Sequence, residues 1–182
     1  MYQMKGDIKM KSNYEARALK FARLLSRWFM DCLTLNDFVE TIKYYNAHHS
    51  IPLRYEHGVS RIAILRADYV IKFDYAPDVQ WDNGDGTNRA GDNISEELVY
   101  ERAVRDGYAY LLAKTTVVTI NGRHISIMPQ ISGVNDEDKY WGDYVTEEEY
   151  DWLMENVNDI HEGNIGYSHG KPVVIDYGWD AL

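Results

Sequence analysis

The sequence predicts an α+β fold in which helices stand before, within and after an antiparallel sheet. Three observations predict it. Between Tyr14 and Phe29 the apolar residues recur at steps of three and four, the period of a helix with one buried face. From Leu53 to Asp74 they gather instead into short runs rich in β-branched and aromatic residues. Farther on, Asn121-Gly122 separates two such runs and supplies the two positive-φ residues of a tight hairpin turn.

The elements follow in chain order. Ala18, Phe21, Ala22, Leu25, Trp28 and Phe29 make the apolar face of the first helix. A second begins at Thr34, whose hydroxyl can cap the first turn while Asp37 takes the reciprocal position. Phe38, Ile42 and Tyr45 continue its face, and Pro52 closes the region. Ile62, Ile64 and Leu65, then Tyr69, Val70, Ile71 and Phe73, read as two or three antiparallel strands punctuated by Gly58 and Ala67-Asp68. Ala76 to Asn93 has no periodicity and is rich in Gly, Asp and Asn, so it reads as a polar loop. Its Asp78, Asp82 and Asp85 fail the spacing of a calcium loop, because Gly84 stands where an oxygen ligand is needed. Ile94 to Leu112 reads as a helix with Leu98, Val99 and Ala103 on one side. The hairpin Val117–Ile120 and His124–Met128 comes next, followed by a polar loop from Ser132 to Tyr144. Thr146 to Val157 reads as a helix with a Thr146/Glu149 capping box and an apolar stripe of Tyr150, Leu153, Met154 and Val157. Two short strands, Ile165–Tyr167 and Val173–Ile175, flank a turn at His169-Gly170.

Composition narrows the function. With 45% apolar residues among 182, the chain can build the core of one domain. No apolar run approaches the roughly 18 residues of a membrane span, and Met1 to Lys11 is too polar for a signal peptide. The one cysteine, Cys32, leaves no internal disulfide and reads as a buried thiol near a helix end. The expectation is a soluble, cytoplasmic protein without a membrane partner. A net charge of −10 argues against direct nucleic-acid binding and reads as a solvated acidic surface, or less simply as a face for a basic partner. There is no Cys/His cluster for zinc and no Gly-x-Ser-x-Gly elbow, and His48-His49 are adjacent, so they cannot face one metal from a helix.

The chemistry concentrates near the end. Asp159-Ile160-His161-Glu162-Gly163-Asn164 directly follows a capped helix, and Asp176-Tyr177-Gly178 closes the run Val173-Val174-Ile175. The pair resembles the catalytic and metal-binding loops of the protein-kinase superfamily. The Asp-x-His-x-Gly-Asn form is similar to that of aminoglycoside-phosphotransferase-type kinases and small bacteriophage serine/threonine kinases, with Tyr177 in place of the commoner phenylalanine. Phosphoryl transfer from ATP is mostly positioning and charge neutralisation. The resemblance gives Asp159 the acceptor hydroxyl, and Asn164 and Asp176 the magnesium ion. Tyr69-Val70-Ile71-Lys72 looks like the strand whose lysine contacts the phosphates. Ile94-Ser95-Glu96-Glu97-Leu98 looks like the helix whose glutamate pairs with that lysine, the apolar flanks favouring Glu96 over Glu97. Met128-Pro129-Gln130-Ile131 would be the hinge beside adenine, with Met128 and Gln130 at the nucleotide. Gly58, in His57 to Ser60, would be the one glycine of the phosphate-covering loop. Singly, Lys72 reads as a snorkelling strand lysine, Glu96 as a solvated helix residue and His161 as a satisfied core histidine. Their joint order is what carries the resemblance.

The resemblance implies a protein-kinase-like α+β fold, with an antiparallel N-lobe sheet and a reduced, mostly helical C-lobe. It covers residues 53–182 as a minimal kinase-like domain. Residues 1–52 are expected to form a helical segment on the core, placed below the catalytic loop. Four residues follow Gly178, so the activation segment and substrate platform are expected to be missing. The implied activity is ATP- and Mg2+-dependent phosphoryl transfer to serine or threonine of a host protein, in the host cytoplasm. The alternative is a pseudokinase-like binding protein that inhibits a host enzyme or defence complex, which the lone glycine and missing platform favour. A small-molecule phosphotransferase ranks third. Oligomeric state stays open.

Overall fold

Alternation along the strands decides the architecture. A computed structural model describes residues 4–58, 60–75, 92–131, 140–157 and 160–177. In it β1 (Arg54–His57), β2 (Arg61–Leu65), β3 (Tyr69–Asp74), β4 (Thr116–Ile120) and β5 (Arg123–Pro129) form one sheet in the order β1-β2-β3-β5-β4. Every neighbouring pair is antiparallel. Side chains on a strand point alternately to opposite faces. Ile62 and Ile64, Tyr69, Ile71 and Phe73, and Ile125 and Ile127 therefore share one face, which must be covered.

The N-terminal helices cover it. Ala18, Ala22 and Leu25 of α1 (Met4–Trp28), and Phe38, Ile42 and Tyr45 of α2 (Leu35–His48), join those strand residues and Phe29 in one core. Three rings hold its centre, with Phe29 centred 4.9 Å from Phe38 and 5.1 Å from Phe73. This corrects the expected placement of these helices below the catalytic loop. Among the described residues, the second core, which contains Val157 and has Ile160 packed against it, before and within that loop, draws none from α1 or α2. The uncovered apolar face of the sheet was the stronger claim on them.

Local chemistry sets the ends of the elements. Thr34 and Asp37 cap α2 reciprocally, with the Thr34 N–H donating to Asp37 Oδ2 at 2.9 Å. α1 starts at Met4, ahead of the apolar face that begins at Tyr14. α3 (Asp92–Asp106) starts earlier and stops sooner than the sequence pattern suggested. Gly107, at φ 90°, ends it, and the Tyr108 N–H turns back to the Ala103 carbonyl at 2.8 Å. That is a Schellman closure, which favours glycine at the left-handed position. Ala109–Leu111 then makes a separate 3-10 turn. Asn121 and Gly122 take φ 54° and 77° in the β4–β5 turn. His169 and Gly170 repeat this, at 54° and 74°, between β6 (Ile165–Ser168) and β7 (Lys171–Val174).

α4 (Glu147–Asn156) carries its Thr146/Glu149 capping box but buries a different stripe. Met154 is exposed, and Trp152 is buried in its stead. The indole stacks on Tyr108 at 5.1 Å and donates to Asp106 at 3.2 Å, which a purely apolar stripe does not anticipate. α4, β6 and β7 share the second core with Val70 and Met128 from the sheet and Val99 from α3. The result is an α+β arrangement in which the five-stranded antiparallel sheet carries one core on each face. Among the described residues no helix is long and apolar enough to cross a membrane. Asp78, Asp82 and Asp85 lie outside the described residues.

Candidate functional site

The other face of the sheet is polar at its centre. Lys72 has the parity of Val70, opposite to Ile71 and Phe73, so it points away from the N-terminal helices and into a cleft above the C-lobe. Its ammonium donates to Glu96 Oε1 at 2.7 Å and to the Ile175 carbonyl at 2.9 Å, and lies 3.5 Å from the Asp176 carboxylate.

Helical spacing delivers Glu96. Glu96, Val99 and Ala103 share the buried stripe of α3, at steps of three and four. Asn93, one turn earlier, fastens the helix to the sheet, its amide donating to the Lys72 carbonyl at 3.1 Å and the His124 carbonyl at 3.0 Å. Glu96 is fully buried, and its Oε2 accepts from Ser126 Oγ at 3.1 Å. Glu97 turns elsewhere and accepts the Val117 N–H at 2.9 Å.

A second cation stands beside Lys72. Arg61, on β2, donates to Glu96 Oε1 at 3.0 Å and to Asn93 Oδ1 at 3.3 Å, and it forms an ion pair with Asp176. Sequence reasoning missed Arg61, Asn93 and Ser126. Parity held the signal for Arg61, since Arg61, Ala63 and Leu65 alternate with Ile62 and Ile64 and line the cleft. Asn93 fell in what reads as a loop, and a serine in a β-run carries no signal.

These neighbours move the ionisations. Burial, then the adjacent Arg61 charge, pushes the Lys72 ammonium down to about 8, against the pull of Glu96. Burial works against the Glu96 carboxylate too, but Arg61 and Lys72 together hold its pKa below the usual range. Asp74, at the end of β3, has its pKa raised to about 7 by burial, with Asp92 and Glu96 adding to the shift and Arg61 opposing it.

The cleft measures about 300 Å³. Ala63, Val70, Met128 and Ile131 give it an apolar wall, and Gly58, Gln130, Asn164 and Asp176 line it together with Lys72 and Arg61. The Gln130 N–H is taken by the Asp68 carbonyl at 3.2 Å, while its side-chain Oε1 is buried without a hydrogen-bond partner among the described residues. Gly58 closes the β1–β2 turn with its N–H on the Arg61 carbonyl at 3.0 Å, and a Cβ there would meet nothing within 4 Å. Tyr177, beside Asp176, is buried with its hydroxyl 2.7 Å from Thr115 Oγ1 and donating to the Ala113 carbonyl. The phenol thus has buried partners that a phenylalanine would leave unmet.

Of the residues singled out from the sequence, Lys72, Gly58, Met128, Gln130, Asn164 and Asp176 line one cleft, and Glu96 lies directly behind it. Asp159 lies outside the described residues. His161 is not a core residue. It is exposed, and its Nδ1 accepts the Gly163 N–H at 3.0 Å to shape the turn.

The donor chemistry suits magnesium. Asn164 and Asp176 offer an amide and a carboxylate oxygen, and the Ile175 N–H on the Asn164 carbonyl at 2.8 Å ties their two segments together. Among the described residues no group of three or more His, Cys, Asp or Glu could hold a metal. Two protein oxygens suffice for magnesium, which keeps waters and takes phosphate oxygens.

No protein-family model matches the chain, and no curated protein does. Solved structures similar to it include WbdD, crystallised with the kinase inhibitor LY294002, at 17% identity and a TM-score of 0.36, over 70% of this chain and 32% of that one. APH(2″)-IIa, in a ternary complex with streptomycin and ATP, aligns at 21% identity and a TM-score of 0.28, over 67% of this chain and 40% of that one. The chain spans 32% and 40% of the lengths of these two structures.

Proposed function

We propose that the chain is a minimal phosphotransferase that takes ATP in this cleft and passes its terminal phosphoryl group to a serine or threonine of a host protein. The observation that carries the reading is the Lys72 ammonium, buried between Glu96 and the Ile175–Asp176 segment, with Asn164 lining the same cleft. Ala63, Val70 and Met128 would flank the adenine, with Gln130 lining the same cleft. Lys72, held by Glu96, would orient the phosphates. Asn164 and Asp176 would hold a magnesium ion, which when bound neutralises phosphate charge. Asp159 takes the role the sequence resemblance gives it, orienting the acceptor hydroxyl and receiving its proton.

The test is transfer from labelled ATP with magnesium, to the protein itself and to a host lysate. Asp159→Ala should abolish labelling and leave nucleotide binding largely intact. Asp176→Ala should abolish both labelling and magnesium-dependent nucleotide binding. Labelling that survives both substitutions rejects the assignment.

One observation favours a second reading, a protein that acts by binding a partner without transfer. The Asp176 carboxylate already carries the Arg61 guanidinium, in competition with a metal ion. A folded wild-type chain that labels nothing in the same assay selects this reading.

A further inference from the structure

We propose that Arg61 is a second phosphate-binding cation of the cleft, which gives up its ion pair with Asp176 to receive an oxygen of the bound polyphosphate. This rests on the nucleotide reading of the cleft, in either its transferring or its binding-only form.

Charge counting leads to it. Lys72 and Arg61 carry two positive charges, Glu96 and Asp176 two negative ones, and all four lie within one network of hydrogen bonds and ion pairs. The set is neutral only while Asp176 faces the cations. Once Asp176 serves a metal ion, Glu96 is the one ion-pair partner left to Lys72 and Arg61 among the described residues, with Asp74 and Asp92 acting on them only at longer range. Two buried cations on one carboxylate need a further partner, and phosphate supplies it.

Exposure shows which group is free to move. The Asp176 side chain is 46% exposed, against 7% for Arg61 and 0% for Glu96. Arg61 is also held by Asn93, which is itself fixed to β3 and β5. In the exchange Asp176 therefore swings and the guanidinium stays. A planar fork of N–H donors suits phosphate oxygens better than a single ammonium does. It also answers a puzzle in the sequence. The turn above the cleft has one glycine, Gly58, and so little of the backbone-amide cradle that a glycine-rich loop provides. Arg61 sits at the foot of that turn, its carbonyl bonded to Gly58, and brings side-chain donors to the same place.

The experiment is calorimetric titration of the wild-type chain, R61M and R61K with ATP and with adenosine, each with magnesium. R61M should bind ATP about 10- to 100-fold more weakly, the loss of one charge-assisted phosphate contact, and bind adenosine as the wild type does. R61K, which keeps the charge and loses the fork, should fall between. An ATP-to-adenosine affinity ratio unchanged in R61M, or both affinities lost equally by a folded R61M, overturns the inference while leaving nucleotide binding standing. Should R61M fail to fold, the ratio in R61K decides in the same way. A folded wild-type chain that binds neither ligand removes the nucleotide reading, and the inference with it.

Discussion

The two faces of the five-stranded sheet solve the same problem of burial in opposite ways. The face under α1 and α2 is built from Ile62, Ile64, Tyr69, Ile71, Phe73, Ile125 and Ile127, and needs only to exclude water. Its polar exception, Arg123, places its guanidinium over the Phe38 ring at 5.4 Å and donates to the Cys32 carbonyl at 2.6 Å, holding the link between the two helices. The face toward the cleft buries Arg61, Lys72 and Ser126 against Glu96 and Asn93. Apolar burial is favourable atom by atom, whereas each buried charge carries a desolvation cost that its partners must offset. The first face is therefore built for stability. The second is costly to assemble, and its charges are held to one another through Glu96.

Breaking the first face should give the largest loss. Phe73 is fully buried, with Phe29 and Phe38 centred 5.1 Å and 6.1 Å away. Phe73→Ala should destabilise the chain by about 3–5 kcal/mol in urea unfolding, since the cavity cannot close over three packed rings. Breaking the second face should come next. Glu96→Gln keeps the shape and removes the charge, leaving Asp176 as the ion-pair partner of Lys72 and Arg61 among the described residues, and should cost about 3 kcal/mol. The two effects differ in kind. Adding Lys72→Met to Glu96→Gln should recover part of the stability, because it removes an uncompensated cation. No polar substitution on the cleft side should rescue Phe73→Ala. If the second substitution adds its own loss instead, the charges on the cleft face are not coupled as described.

The faces also differ in how far the sequence reveals them. The apolar face is written in parity at 62/64, 69/71/73 and 125/127. The turns and caps are written in local pairs, Asn121-Gly122, Thr34/Asp37 and Thr146/Glu149, because each is decided by its own few residues. What covers that face is not local, and α1 and α2 carry apolar stripes that fit any apolar surface. In the cleft, Lys72, Glu96, Asn164 and Asp176 stand out through motif resemblance. Arg61 and Asn93 do not, because their roles exist only after β2, β3 and α3 are assembled, with 32 residues separating them in the chain. Trp152 escaped for a similar reason, since its partners Tyr108 and Asp106 come from another helix end.

Asp74 allows the smallest and most discriminating test, because it sits on the polar face without full compensation. Its carboxylate accepts the Asn93 N–H, yet Oδ1 is buried with no hydrogen-bond partner among the described residues. Burial first, then Asp92 and Glu96, raises its pKa from 3.8 to about 7, with Arg61 opposing. The sign follows from proton counting. Between about pH 4 and pH 7 the folded chain keeps a proton that the unfolded chain has lost, so stability falls as pH rises through that window. Above the window the penalty is complete, and below it the penalty is absent. Asp74→Asn keeps an acceptor for Asn93 and cannot ionise, so it should stabilise the chain by about 1–2 kcal/mol at pH 8 and change little near pH 4. Urea unfolding of the two proteins across that range checks it. A pH-independent difference would mean that Asp74 finds a cation partner in solution, and that the polar face is better compensated than the network around Glu96 implies.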